Sequence, residues 1–140
     1  MVEFVGFAQS PQIPEGAEHL LHELTLTTNI GLDAAAKRIF APTSAQAWLG
    51  ATTKFVLQPG GKIETSDRTI TVIEVNLPKS VTMIADSFGE LRIALAKQGS
   101  AALVDIRFSR WALPVETDAF WQATAELCSK LETLLEVNVG

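Results

Sequence analysis

Two histidines, His19 and His22, lie between Glu18 and Glu23 and form the densest group of potential metal ligands in the chain. The run Glu-His-Leu-Leu-His-Glu is not the His-Glu-x-x-His arrangement of zinc proteases. If the segment is a strand, residues three apart face opposite sides of the sheet, so the two imidazoles cannot share an ion. No metal site and no cofactor are expected. His22 shares a face with Leu20, Leu24 and Leu26, which could place it on a cavity wall; the plainer meaning is a partly exposed histidine near the start of a strand. Nucleophile patterns are missing. There is no Gly-x-Ser-x-Gly, and Pro59-Gly60-Gly61-Lys62 lacks the Ser/Thr and helix of a phosphate loop. Tyrosine is absent from the sequence. The single cysteine, Cys128, excludes an internal disulfide and falls on the apolar side of a C-terminal helix, where burial makes a thiol inert.

The remaining polar candidates are charges on strands. Arg110 is in register with Val104, Ile106 and Phe108, which could turn it to the cavity face to offer a charge to a polar ligand head; the plainer meaning is a solvated charge on a strand. Asp105 and Arg107 fall on the alternate face, where exposed pairs contribute only ~0–1 kcal/mol. Trp48, Phe55, Met83, Phe108 and Trp121 complete the set of cavity candidates with His22 and Arg110, although large aromatics are more often core than ligand cage. Trp121 stands about 100° from Phe120 around its helix, at the flank where a cavity mouth or an interface would lie.

The elements that must position these residues follow from periodicity. Alternation over His19–Thr28 favours a half-buried strand, although Leu20, Leu21 and Leu24 also fit helical spacing. Asp33 is a candidate N-cap for a short helix Ala34–Phe40 that Pro42 stops, and Thr43 or Ser44 for a second one ending at Gly50. Strands are expected over Lys54–Gln58, Lys62–Thr65, Thr69–Asn76, Val81–Ala85, Leu91–Ala96 and Ala101–Arg110, with Lys97–Ser100 as a hairpin turn. From Asp118 to Glu136, Phe120, Thr124, Leu127, Leu131, Leu134 and Leu135 fall on one helical face. Such a helix is nearly 30 Å long at ~1.5 Å per residue. It cannot bury its apolar face alone, and the preceding strands are its only large partner. The expected fold is α+β, a curved antiparallel sheet gripping a long C-terminal helix, with two short helices after the first strand.

Composition narrows the function. A net charge of −5 and scattered basic residues argue against nucleic acid, which needs clustered Lys and Arg. No apolar run reaches the ~20 residues that span a bilayer, and Met1–Ala8 lacks the charged leader and long apolar core of a signal peptide. A cytoplasmic protein is expected, with residues 1–17 as a lead-in and 18–138 as one domain. Phe4, Val5 and Phe7 of the lead-in either fold back or pair two chains, which leaves monomer and homodimer open.

Three segments carry a family resemblance. Ile39-Phe40-Ala41-Pro42-Thr43 with Trp48-Leu49-Gly50 resembles the helical pair of the chaperone-ATPase activator branch of the START/Bet v I-like (SRPBCC) superfamily. Ile73-Glu74-Val75 with Val81-Thr82-Met83 resembles its central strand pair. Ala119-Phe120-Trp121 followed by Leu127 and Leu131 resembles its closing helix. The similarity runs over about residues 20–136. Ala125 and Cys128 stand where the branch usually has leucine, and Ile84 or Ala85 where it often has an aromatic residue. The resemblance implies a helix-grip fold and a cavity between sheet and helix. Three functions follow as expectations: binding of an apolar or amphipathic small molecule, a chaperone-activator-like interaction module, and, least favoured, a cyclase or hydrolase. The fold alone does not choose among them.

Overall fold

Alternating apolar residues become strands along most of the chain, and glycines and prolines punctuate them. The computed structural model describes residues 15–135. Strand β1 (Glu18–Thr27) is followed by helices α1 (Leu32–Phe40) and α2 (Gln46–Leu49). Six strands come next: β2 (Thr52–Phe55), β3 (Lys62–Thr65), β4 (Thr69–Asn76), β5 (Ser80–Ala85), β6 (Gly89–Gln98) and β7 (Ala101–Ala112). A 3-10 turn at Pro114–Glu116 leads into α3 (Thr117–Leu134). The seven strands form one sheet in the order β1-β7-β6-β5-β4-β3-β2. Every neighbouring pair is antiparallel. Strands β2 to β7 are thus a simple meander, and β1 joins beside the last of them.

The expected α+β helix-grip fold is present. Leu20, Leu26, Val104, Ile106, Phe108, Leu91, Ile93, Val81 and Met83 point from the sheet into the core, and α3 answers with Phe120, Leu127, Cys128 and Leu131. Each fully buried Leu, Ile or Phe contributes about 1.5–3 kcal/mol relative to exposure. In β4 the register shifts between Val72 and Glu74. This bulge leaves Ile73 exposed while Val72 and Val75 both pack toward the core, and bulges of this kind bend a strand. Gly89 opens β6 with φ +74°, and a Cβ there would collide with the Ser109 carbonyl, so the β5–β6 corner can press against β7 only with glycine.

Several boundaries differ from expectation. Helix α1 starts at Leu32 with Gly31 as its N-cap, and Asp33 sits in the first turn instead of capping. Ser44 does not start α2, whose cap position is Ala45; its hydroxyl donates to the Lys37 carbonyl at 2.7 Å. The Lys37 carbonyl also accepts the Ala41 N–H at 2.9 Å, so Ser44 adds a second donor at the end of α1. Expected strand Lys54–Gln58 is shifted to Thr52–Phe55, because the chain turns back through Val56–Gly61 with Gly61 N–H on the Gln58 carbonyl. The β6–β7 turn is only Gly99-Ser100, with Gly99 at φ +62°. Phe4, Val5, Phe7 and Glu136 lie outside the described residues.

Candidate functional site

One polar residue stands in an otherwise apolar row across the inner face. Val72, Met83, Leu91, Phe108 and His22 are successive cross-strand partners on β4, β5, β6, β7 and β1. His22 ends this row at the β1 edge, beneath the first turns of α3. Its Nδ1 lies 2.8 Å from Thr124 Oγ1. Thr124 is fully buried, and its hydroxyl also reaches the Trp121 carbonyl at 3.3 Å. Both bonds are satisfied together when Thr124 donates to the carbonyl and accepts from Nδ1–H, which leaves the His22 Nε2 lone pair free.

Rings continue the site in both directions. The His22 centroid is 5.6 Å from that of Trp121 and 6.1 Å from that of Phe108. Phe88 meets Phe108 edge-on at 5.6 Å, and the Arg68 guanidinium lies 5.7 Å over Phe88. Aromatic edges and faces attract each other in such tilted pairs. A band of rings thus runs from α3 to the β3–β4 turn.

The seven candidate residues do not converge on one opening. His22, Phe108, Arg110 and Trp121 gather where β1, β7 and α3 meet. Arg110 faces inward, as its register requires, but its guanidinium contacts Glu116 at 3.0 Å. Glu116 Oε1 in turn accepts the Leu113 N–H at 2.8 Å. Arg110 therefore braces the corner between β7 and α3. Trp48 is only 1% exposed and donates its Nε1–H to the Ile39 carbonyl at 2.8 Å. Met83 and Phe108 are sealed in the core, and Phe55 packs half-buried on β2 at the opposite edge of the sheet.

Space follows the same division. Trp48, Met83, Phe88, Phe108, Phe120, Leu127 and Leu131 are each at most 1% exposed and fill the region between α3 and the sheet. Five depressions of about 170 to 470 Å³ lie elsewhere. None of the five is lined by Trp48, Met83, Phe108 or Trp121. Cys128 is buried on α3, and burial, followed by the nearby Glu132 carboxylate, pushes its thiol up to about 11. Among the described residues, no three His, Cys, Asp or Glu side chains gather as a metal site.

On the outer face of the sheet Trp111 is 44% exposed and Leu21 39%, and on α3 Trp121 is 39% exposed. His19 Nε2 meets Ser109 Oγ at 2.7 Å and its ring stands 5.2 Å from Trp111. His19 and His22 are thus on opposite faces. Among the described residues β1 has one strand neighbour, β7, so its other edge carries no ladder. Thr124 had a visible signal: it is a polar side chain on the apolar stripe of a helix, and buried polar groups seek a partner.

The arrangement defines a helix-grip protein whose grip is packed with its own side chains. No family model matches the sequence, and no curated protein matches it either. Solved structures with the same fold are numerous. A protein from Mesorhizobium loti aligns with TM-score 0.65 and 14% identity over 85% of this chain and 97% of its own. A protein from Arthrobacter aurescens gives TM-score 0.67 and 11% identity over 84% and 86%. The Aha1 dimer from Colwellia psychrerythraea gives 0.62 and 12% over 84% and 96%. At such identities the likeness establishes the fold. No helix among the described residues is long and apolar enough to cross a membrane.

Proposed function

We propose that residues 18–138 form a protein-interaction module of the chaperone-activator kind, which engages a partner protein along the β1 edge. One observation carries this reading: the grip is filled, while Trp111, Trp121 and Leu21 are exposed on either side of a strand whose outer edge carries no ladder among the described residues. Tryptophan is enriched among residues that dominate binding energy at interfaces, and an exposed sheet edge accepts an added strand through main-chain hydrogen bonds. Strand β1 carries no proline or lysine, two of the usual devices that keep a sheet edge from pairing. The Aha1 dimer from Colwellia psychrerythraea shares the fold, and its dimeric state makes a second copy of this chain one partner to test.

The experiment is site-specific photocrosslinking in the producing cell, with the reactive residue at position 21, 111 or 121 and a control at Lys54 on β2. Crosslinks to a discrete protein from the three positions and not from the control are the expected outcome. Equal labelling at all four positions would overturn the reading.

A second reading is favoured by the half-buried His22 beside exposed Trp121: an amphipathic molecule entering at that mouth, with Nε2 as acceptor. Phe108 and Arg110 would flank it, whereas Trp48, Met83 and Phe55 would be reached only if the core opened. Native mass spectrometry separates the two readings. A released apolar molecule whose retention falls in His22→Ala would favour the second.

A further inference from the structure

The sheet face that α3 does not cover carries a polar line set by strand register, with four charged residues and one threonine. Glu74, Thr82, Arg92, Arg107 and Glu23 are successive cross-strand partners on β4, β5, β6, β7 and β1. Arg92 and Arg107 are therefore directly opposite each other. Their neighbours along each strand, Leu91 and Ile93, Ile106 and Phe108, are buried inward, so both guanidinium groups project from the outer face. Directly opposed residues have Cβ atoms about 4.5–5.5 Å apart, and like charges in that position repel. Glu23 relieves only one of them, through a long contact to Arg107 at 3.8 Å. Among the described residues no carboxylate lies within ion-pair distance of Arg92, and its guanidinium has no hydrogen-bond acceptor there.

Two depressions flank the arginine pair, and both arginines line each of them. The smaller, about 170 Å³, is completed by Glu90 and Ser109. The larger, about 300 Å³, also holds Glu23 and Asp105. Charges in the larger one cancel, with Asp105 already accepting from Thr25 at 2.7 Å. The smaller one keeps a net charge of +1 from two arginines and one glutamate, with the Ser109 hydroxyl beside them.

The geometry points to an oxyanion-binding site on Arg92 and Arg107, for a phosphomonoester whose phosphate bridges the two guanidinium groups. A phosphate dianion accepts from both planar forks at once and replaces their repulsion by attraction. Ser109 can donate to a third oxygen by turning its hydroxyl from His19. Glu90 faces the ester side, where a ligand hydroxyl or amine would satisfy it and a bare second anion would be repelled. The ligand is thus a small phosphate ester with a donor group near the phosphate, either as a free molecule or as a lipid headgroup. This site is on the opposite side of the sheet from His22 and independent of the β1-edge reading.

The test is a titration of isotope-labelled protein with inorganic phosphate, followed by nuclear magnetic resonance at Arg92, Arg107 and Ser109. Saturable shifts centred on these residues are expected, and Arg92→Gln and Arg107→Gln should each weaken the apparent affinity by about tenfold or more. Lys54→Gln should titrate like the wild type. Without phosphate, Arg92→Gln should melt no lower than the wild type because a repulsive pair is removed; with phosphate only the wild type should rise. Glycerol phosphate and vesicles containing phosphatidic acid then distinguish free ester from headgroup, and arginine-dependent binding of either supports the site. Shifts that chloride reproduces at equal ionic strength, or an Arg92→Gln protein that titrates normally, would overturn it.

Discussion

Replacing Trp48 by phenylalanine separates a ligand wall from a core strut. Trp48 is 1% exposed, and its Nε1–H is the donor for the Ile39 carbonyl at 2.8 Å. Ile39 lies in the last turn of α1, where carbonyls have no intrahelical N–H. Trp48→Phe leaves that carbonyl unpaired, at a cost of about 1–3 kcal/mol. Phenylalanine is also smaller by about 40 Å³, and at ~24 cal/mol per Å³ of residual cavity this adds about 1 kcal/mol. A total loss of about 2–4 kcal/mol should lower the urea midpoint by about 1–2 M with the slope unchanged. Circular dichroism is the appropriate readout, since the substitution alters the fluorescence. Trp121→Phe, at a position 39% exposed, should cost less than about 1 kcal/mol. A Trp48→Phe loss below about 1 kcal/mol would mean that Ile39 has another donor and that the grip holds water or a ligand. Equal losses from the two substitutions would refute the division into core and surface tryptophans.

The Cys128 thiol, raised to about 11 by burial and then by Glu132, should resist alkylation in the native protein and react fully on unfolding. Its unfolded form ionises at a lower pH, so stability should fall as pH rises through about 9 to 11, by about 2–3 kcal/mol more than in Cys128→Ala. A pH slope shared by both proteins in chemical denaturation would exclude this linkage. For His22 and Thr124, a double-mutant cycle with His22→Ala and Thr124→Val should give a coupling of about 0.5–1.5 kcal/mol. Additive losses would show that the 2.8 Å contact contributes nothing to docking α3 on β1.

Local chemistry was the legible part of this chain. Strands β3 and β4 have the bounds expected from Pro59-Gly60-Gly61 and Ser66-Asp67 on their flanks. The apolar stripe of α3 placed Phe120, Leu127 and Leu131 where they are buried. Alternation alone put His19 and His22 on opposite faces and turned Arg110 inward. What stayed hidden depends on register and volume. No local pattern states that β1 pairs with β7, so the meeting of His22 with Phe108 could not be read from spacing. Arg92 meets Arg107 because the β6–β7 turn has two residues, Gly99-Ser100, where four were expected, which shifts the hairpin register. Whether Trp48 and Met83 line a hole or close it is a three-dimensional sum over side chains from three helices and seven strands. Arg110 was read correctly for direction and incompletely for partner, because Glu116 reaches it only after the chain turns through the 3-10 corner.

The place of β1 has a consequence for the chain as it is synthesised. Strands β2 to β7 pair each with the next, and such local ladders can assemble as they emerge. Strand β1 comes first yet pairs only with β7 among the described strands, and α3 is later still. Non-local pairings close slowly because the intervening loop must be ordered first. The nascent chain therefore holds β1 unpaired through most of translation, with Leu20, Leu24 and Leu26 open to the ribosome's surroundings. A ribosome stalled before β7 should expose a sticky strand that early-acting holdases would recognise, whereas release after α3 would clasp the sheet in one late step.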